Sequence, residues 1–108
     1  MQTGLRGKIM NVKLLIDATK TPLKYFDLKD VLIVKTCMKK PLTTTMIKER
    51  LMEFGINMNI EAVRRRVKRL TNIGLLLEDS FPRFYKFNPQ LVGVWNKILL
   101  KIEELVIR

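Results

Sequence analysis

The spacing of apolar residues in residues 59–70 predicts an amphipathic helix with a basic outer surface. The segment reads NIEAVRRRVKRL. At 100° per residue its apolar side chains share one stripe, which holds Ile60, Val63, Val67 and Leu70. The opposite side is expected to hold Ala62, Arg65 and Arg69, with flanks formed by Arg64, Arg66 and Lys68. The apolar stripe would fix this helix to a core and leave its guanidinium groups at the surface.

Two further helices are expected before it. Asp27 is suited to cap a helix with Asp30 in its first turn, and this helix would stop before Pro41. Residues 41–45 form a turn in which at least one of three threonine hydroxyls caps the next helix. That helix would end at Gly55, where a left-handed residue is expected. Its inward side chains are Ile47, Leu51 and Phe54.

After the basic helix the pattern changes to short strands and then to one more helix. Gly74 is expected to end the basic helix. Residues 75–78 and 83–87 have the composition of two strands, joined by residues 79–82. Asn88 and Pro89 are typical of a helix start, with asparagine as the cap. The expected fold class is therefore mainly α with a small β-hairpin (α+β).

Residues 1–26 are compatible with either a strand or a helix. Met10, Val12, Leu14 and Ile16 alternate as in a strand, but Leu5, Ile9, Val12 and Ile16 also share a helical face. We favour a helix that ends near Thr19, because the Thr21-Pro22 pair interrupts helical structure. This segment is interpreted as an N-terminal arm or a dimerisation segment.

Composition and charge favour one packed domain with a polyanionic partner. The chain has 108 residues, 47% of them hydrophobic, and a formal net charge of +11. Residues 39–88 carry eleven basic and five acidic side chains. Such a surface attracts nucleic acid first and anionic membranes second.

Several classes of site are excluded or disfavoured. The chain has no histidine and one cysteine, Cys37, so histidine catalysis, a thiolate cluster and most zinc sites are excluded. We expect no enzyme activity, no cofactor and no metal. The chain has no recognisable signal peptide, and no apolar run approaches the ~18 residues of a membrane-spanning helix. A soluble, cytoplasmic protein is expected, in the nucleoid or in a host cytoplasm if the source is a virus, with no membrane partner.

Residues 41–88 resemble winged helix-turn-helix transcription regulators of bacteria, archaea and archaeal viruses. The similar phrases are LTTTMIKERL at 42–51, NIEAVRRRVKRL at 59–70 and GLL at 74–76. The resemblance implies a winged-helix domain at residues 27–88, a recognition helix at 59–73 that enters the major groove of double-stranded DNA, and a wing near 79–83. Two features depart from the family: Ala62 replaces a polar residue, and Arg83 is the only charge expected to reach DNA from the short wing.

The candidate DNA-binding residues follow from these elements. Arg65 and Arg69 are the candidates for base edges, because they lie one turn apart on the outer side of the helix. Arg64, Arg66 and Lys68 are assigned to phosphates. Asn59 is a helix cap that could also read adenine. The other candidates are Thr44, Thr45, Lys48, Arg50, Ala62 and Arg83.

The last segment, residues 89–108, is expected to be a long dimerisation helix. Its main apolar row is a heptad seam of Leu91, Trp95, Ile98, Ile102 and Leu105. A second row holds Val92, Leu99 and Val106. The helix could fold back on its own domain, but two rows exceed what one small body covers, and we expect a homodimer on paired half-sites. Core packing is expected for Trp95 and for the hairpin aromatics, rather than stacking on bases.

Three functions remain in competition. The first is a sequence-specific, double-stranded DNA-binding regulator of transcription. The second is a winged-helix module that binds another protein, in which the basic helix serves only as a solvated surface. The third is a sequence-neutral DNA-packaging or RNA-binding protein. The arginine density of residues 64–69 favours the first.

Overall fold

The structure is a computed structural model that describes residues 12–79 and 83–106. It is mainly helical, with one small antiparallel sheet, which confirms the coarse fold class expected from the sequence. The elements in chain order are α1 (Val12–Lys20), α2 (Pro22–Tyr25), α3 (Leu28–Lys39), α4 (Thr44–Glu53), α5 (Ile60–Ile73), β1 (Leu76–Glu78), β2 (Tyr85–Phe87), a 3-10 turn (Pro89–Leu91) and α6 (Val92–Val106). The part of the N-terminal pattern that involves Leu5, Ile9 and Met10 lies outside the described residues.

Three helices begin at side-chain caps. At α3, Asp27 accepts from the Asp30 N–H at 3.0 Å and Asp30 accepts from the Asp27 N–H at 3.1 Å, which forms a reciprocal capping box. At α4 the cap is Thr43, whose hydroxyl accepts from Met46 N at 3.2 Å. At α5, Asn59 Oδ1 accepts from Ala62 N at 2.8 Å. The expected positions of all three helix starts are confirmed.

Glycine ends the basic helix as expected. Gly74 directly follows α5 and has φ +105°. This backbone conformation is unfavourable for residues that carry a Cβ atom. The Gly74 carbonyl accepts from Asn88 Nδ2 at 3.0 Å, and Asn88 Oδ1 accepts from Gln90 N at 3.1 Å. Asn88 therefore joins the end of α5 to the start of the last helical segment.

The inner faces of α3, α4 and α5 pack together against the sheet. Ile33, Ile47, Leu51, Val63 and Leu76 are all buried in this core. In the sheet, Leu76 lies opposite Phe87 and Glu78 opposite Tyr85. Leu42 adds a third position beside β2, because it exchanges two backbone hydrogen bonds with Tyr85, at 2.8 and 3.0 Å. The turn before α4 is thereby fixed to the hairpin.

The first and last helices of the described chain pack against each other. Helix α1 packs against α6, with Leu15 and Ala18 buried, and α2 contacts α6 as well. The rings of Phe26 and Trp95 meet edge to face, with centroids 5.8 Å apart. Residues 12–26 thus share the core of the domain, where the sequence interpretation placed an arm or a dimerisation segment.

Most of the heptad seam at residues 91–105 is buried against other elements of the same chain. Trp95 is 1% exposed and Ile98 is fully buried, while Leu91 and Ile102 are half-buried and Leu105 is exposed. Trp95 and Ile98 cannot contact a second copy in this fold, so their assignment to a dimer interface is corrected. Periodicity identifies the apolar side of a helix, but it does not reveal whether the same chain or a second copy packs against that side. Every described helix, α6 included, is too short or too polar to cross a bilayer.

Candidate nucleic-acid interface

Helix α5 forms a ridge between two clefts. One cleft, of about 760 Å³, is bordered by Ala62, Arg65, Arg66 and Arg69 on α5 and by residues of α2 and α3, and we name it the α3-side cleft. The other, of about 520 Å³, lies between α5 and the β1–β2 hairpin, and we name it the hairpin-side cleft. Its lining includes Thr44, Arg64, Lys68, Arg83 and Tyr85. The ridge is positioned from below by the buried side chains Val63, Val67 and Leu70.

Two of the arginines of α5 are bound to the start of α3. Arg66 Nη1 donates to Asp27 at 2.7 Å and to Asp30 Oδ1 at 3.0 Å. Arg69 Nη2 donates to Asp30 Oδ2 at 2.5 Å, and its Nη1 donates to the Tyr25 carbonyl at 2.7 Å. We call Asp27, Asp30, Arg66 and Arg69 the carboxylate–arginine cluster. Two negative and two positive charges make the cluster neutral as a whole.

Hydrogen bonds and opposite charges favour the ionised forms of Asp27 and Arg66, and burial opposes them. Asp30 is 1% exposed, and its carboxylate accepts from both guanidinium groups and from a backbone N–H. For Asp27, partial burial would raise the pKa, but the Asp30 N–H and the Arg66 guanidinium outweigh it and lower the pKa below its ordinary value. For Arg66, partial burial would lower the pKa, but the hydrogen bonds and negative charges of Asp27 and Asp30 outweigh it and raise the pKa above its ordinary value.

These contacts correct the expected orientation of Arg66 and Arg69. The sequence interpretation assigned Arg69 to a base edge and Arg66 to a phosphate from their expected positions on the outer side and the flank of the helix. Their partners lie between 36 and 44 residues away along the chain. A helical projection contains no information about charges from another helix. The sequence feature that could have indicated these contacts is the pair of aspartates at the start of α3. One of them, Asp30, is buried where α3 packs on α5.

The remaining cations of α5 are differently placed. Arg64 is exposed and pairs with Glu61 at 2.6 Å, one helical turn away. Arg65 and Lys68 are exposed, and no ion pair joins either of them to any residue that the structure describes. They are three residues apart and so lie side by side on the outer surface of the ridge. These two side chains are available to an external anion without breaking an internal contact.

The candidates on α4 divide between the hairpin-side cleft and other surfaces. Thr44 lines the hairpin-side cleft, while Thr45 and Lys48 line neither cleft. Lys48 Nζ lies 3.8 Å from Met52 Sδ. Arg50 pairs with Glu53 at 3.3 Å and borders a separate depression beside Lys39 and Lys40. The structure therefore brings Thr44 to the ridge and places Arg50 apart from it.

The hairpin contributes a cation and an aromatic ring. Arg83 is exposed, and its Nε lies 3.2 Å from Glu78 Oε2. Tyr85 is half-buried, and burial together with the nearby Glu78 raises the pKa of its hydroxyl. Sequence reasoning assigned Tyr85 only to core packing, although it lines the cleft. The turn residues 80–82 fall outside the described ranges.

The α3-side cleft joins two candidates to side chains that sequence reasoning missed. Asn59 and Ala62 line it, Asn59 as the helix cap and Ala62 half-buried. Lys24 and Lys29 line the same cleft and were not among the candidates. Their only signal in the sequence was positive charge near a helix start, which many surface lysines share.

The described residues offer little else that could react or bind a metal. Burial raises the pKa of the Cys37 thiol to about 12, so the thiol stays protonated and unreactive at neutral pH. Within the described ranges, no three acidic or cysteine side chains come together as a metal site would require. The arrangement around α5 is suited to binding an extended anion.

Comparisons with protein-family models, with curated proteins and with solved structures find no match to this chain.

Proposed function

We propose that this chain is a non-enzymatic winged helix-turn-helix protein that binds double-stranded DNA and regulates transcription. In this proposal α4 and α5 form the helix-turn-helix, α5 is the recognition helix and the β1–β2 hairpin is the wing. The observation that carries it is the ridge: Arg65 and Lys68 project from a helix whose opposite side is fixed in the core. A helix of this size fits the major groove of B-DNA, which is about 12 Å wide.

The order and attachment of the elements support this proposal. The hairpin directly follows α3, α4 and α5, and the Leu42–Tyr85 bridge ties the turn before α4 to that hairpin. The carboxylate–arginine cluster fixes α5 against α3, on the other side of the ridge. A recognition helix held on both flanks keeps its orientation, and this reduces the entropy that ordering would cost on binding.

The residues divide into roles according to their partners. Arg65 is proposed to read a guanine edge, because it is exposed on the ridge and its guanidinium is not engaged by a described carboxylate. Lys68 is proposed to contact a phosphate, with Arg64, Thr44 and Arg83 beside it on the hairpin side. Arg64 and Arg83 make only exposed pairs, which cost little to exchange for phosphate contacts. Arg66 and Arg69 are proposed to position α5.

Selection of bound sequences from a random duplex pool tests this function. The proposal predicts enrichment of a defined motif at about physiological salt. If the pool is retained without enrichment, the chain binds DNA in a sequence-neutral manner, as a packaging protein would. If no duplex is retained, the remaining alternatives are the winged-helix module that binds another protein and the RNA-binding protein.

We further propose that the DNA-bound form is a homodimer that uses the second apolar row of α6. Val92, Leu99 and Val106 are spaced by seven residues, and Val92 and Val106 are 45% and 66% exposed. The body of the chain covers most of the first row, whereas Val92 and Val106 remain exposed and Leu99 between them is half-buried. The segment 89–108 carries a net charge of only +1, so two copies of a protein with net charge +11 meet there with the least repulsion.

Introduction of negative charge on one side of α6 tests the dimer. Val92→Glu combined with Val106→Glu should convert a dimer to a monomer in sedimentation. Leu100→Glu is the matched control, because Leu100 is exposed on the same helix but lies at least 80° from that row. A wild-type protein that sediments as a monomer when bound to DNA contradicts the dimer and leaves the DNA-binding proposal standing.

A further inference from the structure

The α3-side cleft is lined by two lysines whose charges no described carboxylate neutralises. Lys24 on α2 and Lys29 on α3 are exposed, and both line the cleft next to Arg65. Among the residues that the structure describes, neither lysine takes part in an ion pair. Lys24 Nζ lies 5.9 Å from the centroid of the Tyr25 ring, a contact that leaves its charge open to solvent.

The acidic residues of the same cleft do not neutralise these lysines. Asp27 and Asp30 are its two carboxylates, and both are engaged by Arg66 and Arg69 within the carboxylate–arginine cluster. Because the cluster is neutral, the charge that the cleft presents to solvent comes from Lys24, Lys29 and Arg65. Three like charges around one open concave surface attract a polyanion.

We infer that Lys24 and Lys29 form a second phosphate-binding surface, which contacts the DNA backbone on the opposite side of α5 from the hairpin. This inference rests on the proposed function. A helix in the major groove has one phosphodiester strand on each flank. Lys68 and Arg83 serve the strand on the hairpin side, and Lys24 and Lys29 serve the strand on the α3 side.

The position of the two lysines supports contact with phosphates and not with bases. They project from α2 and α3, which border α5, while Arg65 occupies the ridge between the two flanks. A lysine ammonium is a compact charge on a flexible stem, which suits a phosphate oxygen. We expect these lysines to raise affinity for every duplex and to leave sequence preference unchanged.

The test compares three double variants by salt titration and phosphate-ethylation interference on one selected duplex. The first is Lys24→Ala/Lys29→Ala. The second is Lys68→Ala/Arg83→Ala, which removes cations on the hairpin side. The third, Lys97→Ala/Lys101→Ala, is the control, because it removes the same charge from α6. All six side chains are exposed or half-buried, and thermal unfolding verifies that each variant is folded.

The first variant should reduce the slope of log affinity against log salt by about 1 to 2 for each bound protomer, since each lost phosphate contact removes about 0.9. Ethylation interference should disappear at phosphates on one side of the groove only. The second variant should lose interference on the other side, and the control should keep both sets.

Three results would overturn the inference. If the first variant matches the α6 control in slope and interference, the lysines are a solvated surface and the proposed function still stands. If the affinity of the first variant falls but ethylation of the same phosphates still interferes with binding, the lysines act only through long-range electrostatic attraction. If the wild-type chain binds no duplex, the proposed function and this inference fail together.

Discussion

Arg69 and Asp30 join the recognition-helix candidate α5 to the start of α3 through a contact of 2.5 Å between Nη2 and Oδ2. Asp30 is almost fully buried, whereas the Arg69 side chain remains partly exposed. The same carboxylate also receives Arg66 at 3.0 Å. Two arginines that the sequence assigned to DNA therefore hold α5 in place, and the part of α5 left for the proposed DNA contact is the ridge that carries Arg65 and Lys68.

Replacement of Asp30 should destabilise the domain. Asp30→Ala leaves two guanidinium groups without their shared acceptor, a change that costs about 3–5 kcal/mol for a fully buried pair. Because Arg66 and Arg69 can turn partly to solvent, we expect a loss of about 2–4 kcal/mol in the free energy of unfolding. Urea unfolding measures this loss.

The matched control for that measurement is Glu61→Gln, which breaks the exposed pair with Arg64. It should cost no more than about 0.5 kcal/mol. Equal losses in the two variants would mean that the carboxylate–arginine cluster contributes no more than a surface pair.

Stability should decrease in acid in a way that depends on Asp27. Its folded-state pKa is lowered, so its contribution is present above the ordinary aspartate value of about 3.9 and is lost as pH falls through the folded pKa. Asp27→Asn keeps an α3 cap but has no proton to take up. Between pH 5 and pH 3 the wild type should therefore lose more unfolding free energy than the variant. The same loss in both proteins would show that Asp27 does not contribute to the acid dependence.

Ile98→Asp should unfold the protein. Ile98 is fully buried between α6 and the rest of the core, and an unpaired carboxylate there has no partner. Loss of the helical circular dichroism signal, or a large decrease in unfolding temperature, is the expected result. A variant that stays folded and only changes from dimer to monomer would contradict this and would support the original assignment of Ile98 to a dimer interface.

The local structure of this chain was predictable to a large extent, because its signals are local. Asp27, Asn59 and Gly74 act at the helix ends where the sequence placed them, and the hairpin strands differ from their expected bounds by at most two residues. These features depend on neighbours within a few positions. The short 3-10 turn that precedes α6 is consistent with the expected start at Asn88.

Contacts between distant elements were not predictable from one sequence. The helical projection placed Arg69 on the outer side of α5, but it could not show that α3 brings Asp30 alongside. The spacing of Trp95 and Ile98 identified an apolar seam, but nothing local indicated that Phe26 and its neighbours would cover it. Lys24 and Lys29 reach the candidate interface only because α2 and α3 border α5.

The central claim is that the ridge of α5 reads duplex DNA, and its most direct test is the affinity of Arg65→Ala for two duplexes. One duplex carries the motif selected from the random pool and the other is a scrambled version of it. The account predicts that affinity for the selected duplex falls about 5- to 150-fold, because a guanine contact contributes about 1–3 kcal/mol of discrimination, while affinity for the scrambled duplex changes little. Equal losses on both duplexes, or no binding of either one by the wild type, would contradict it.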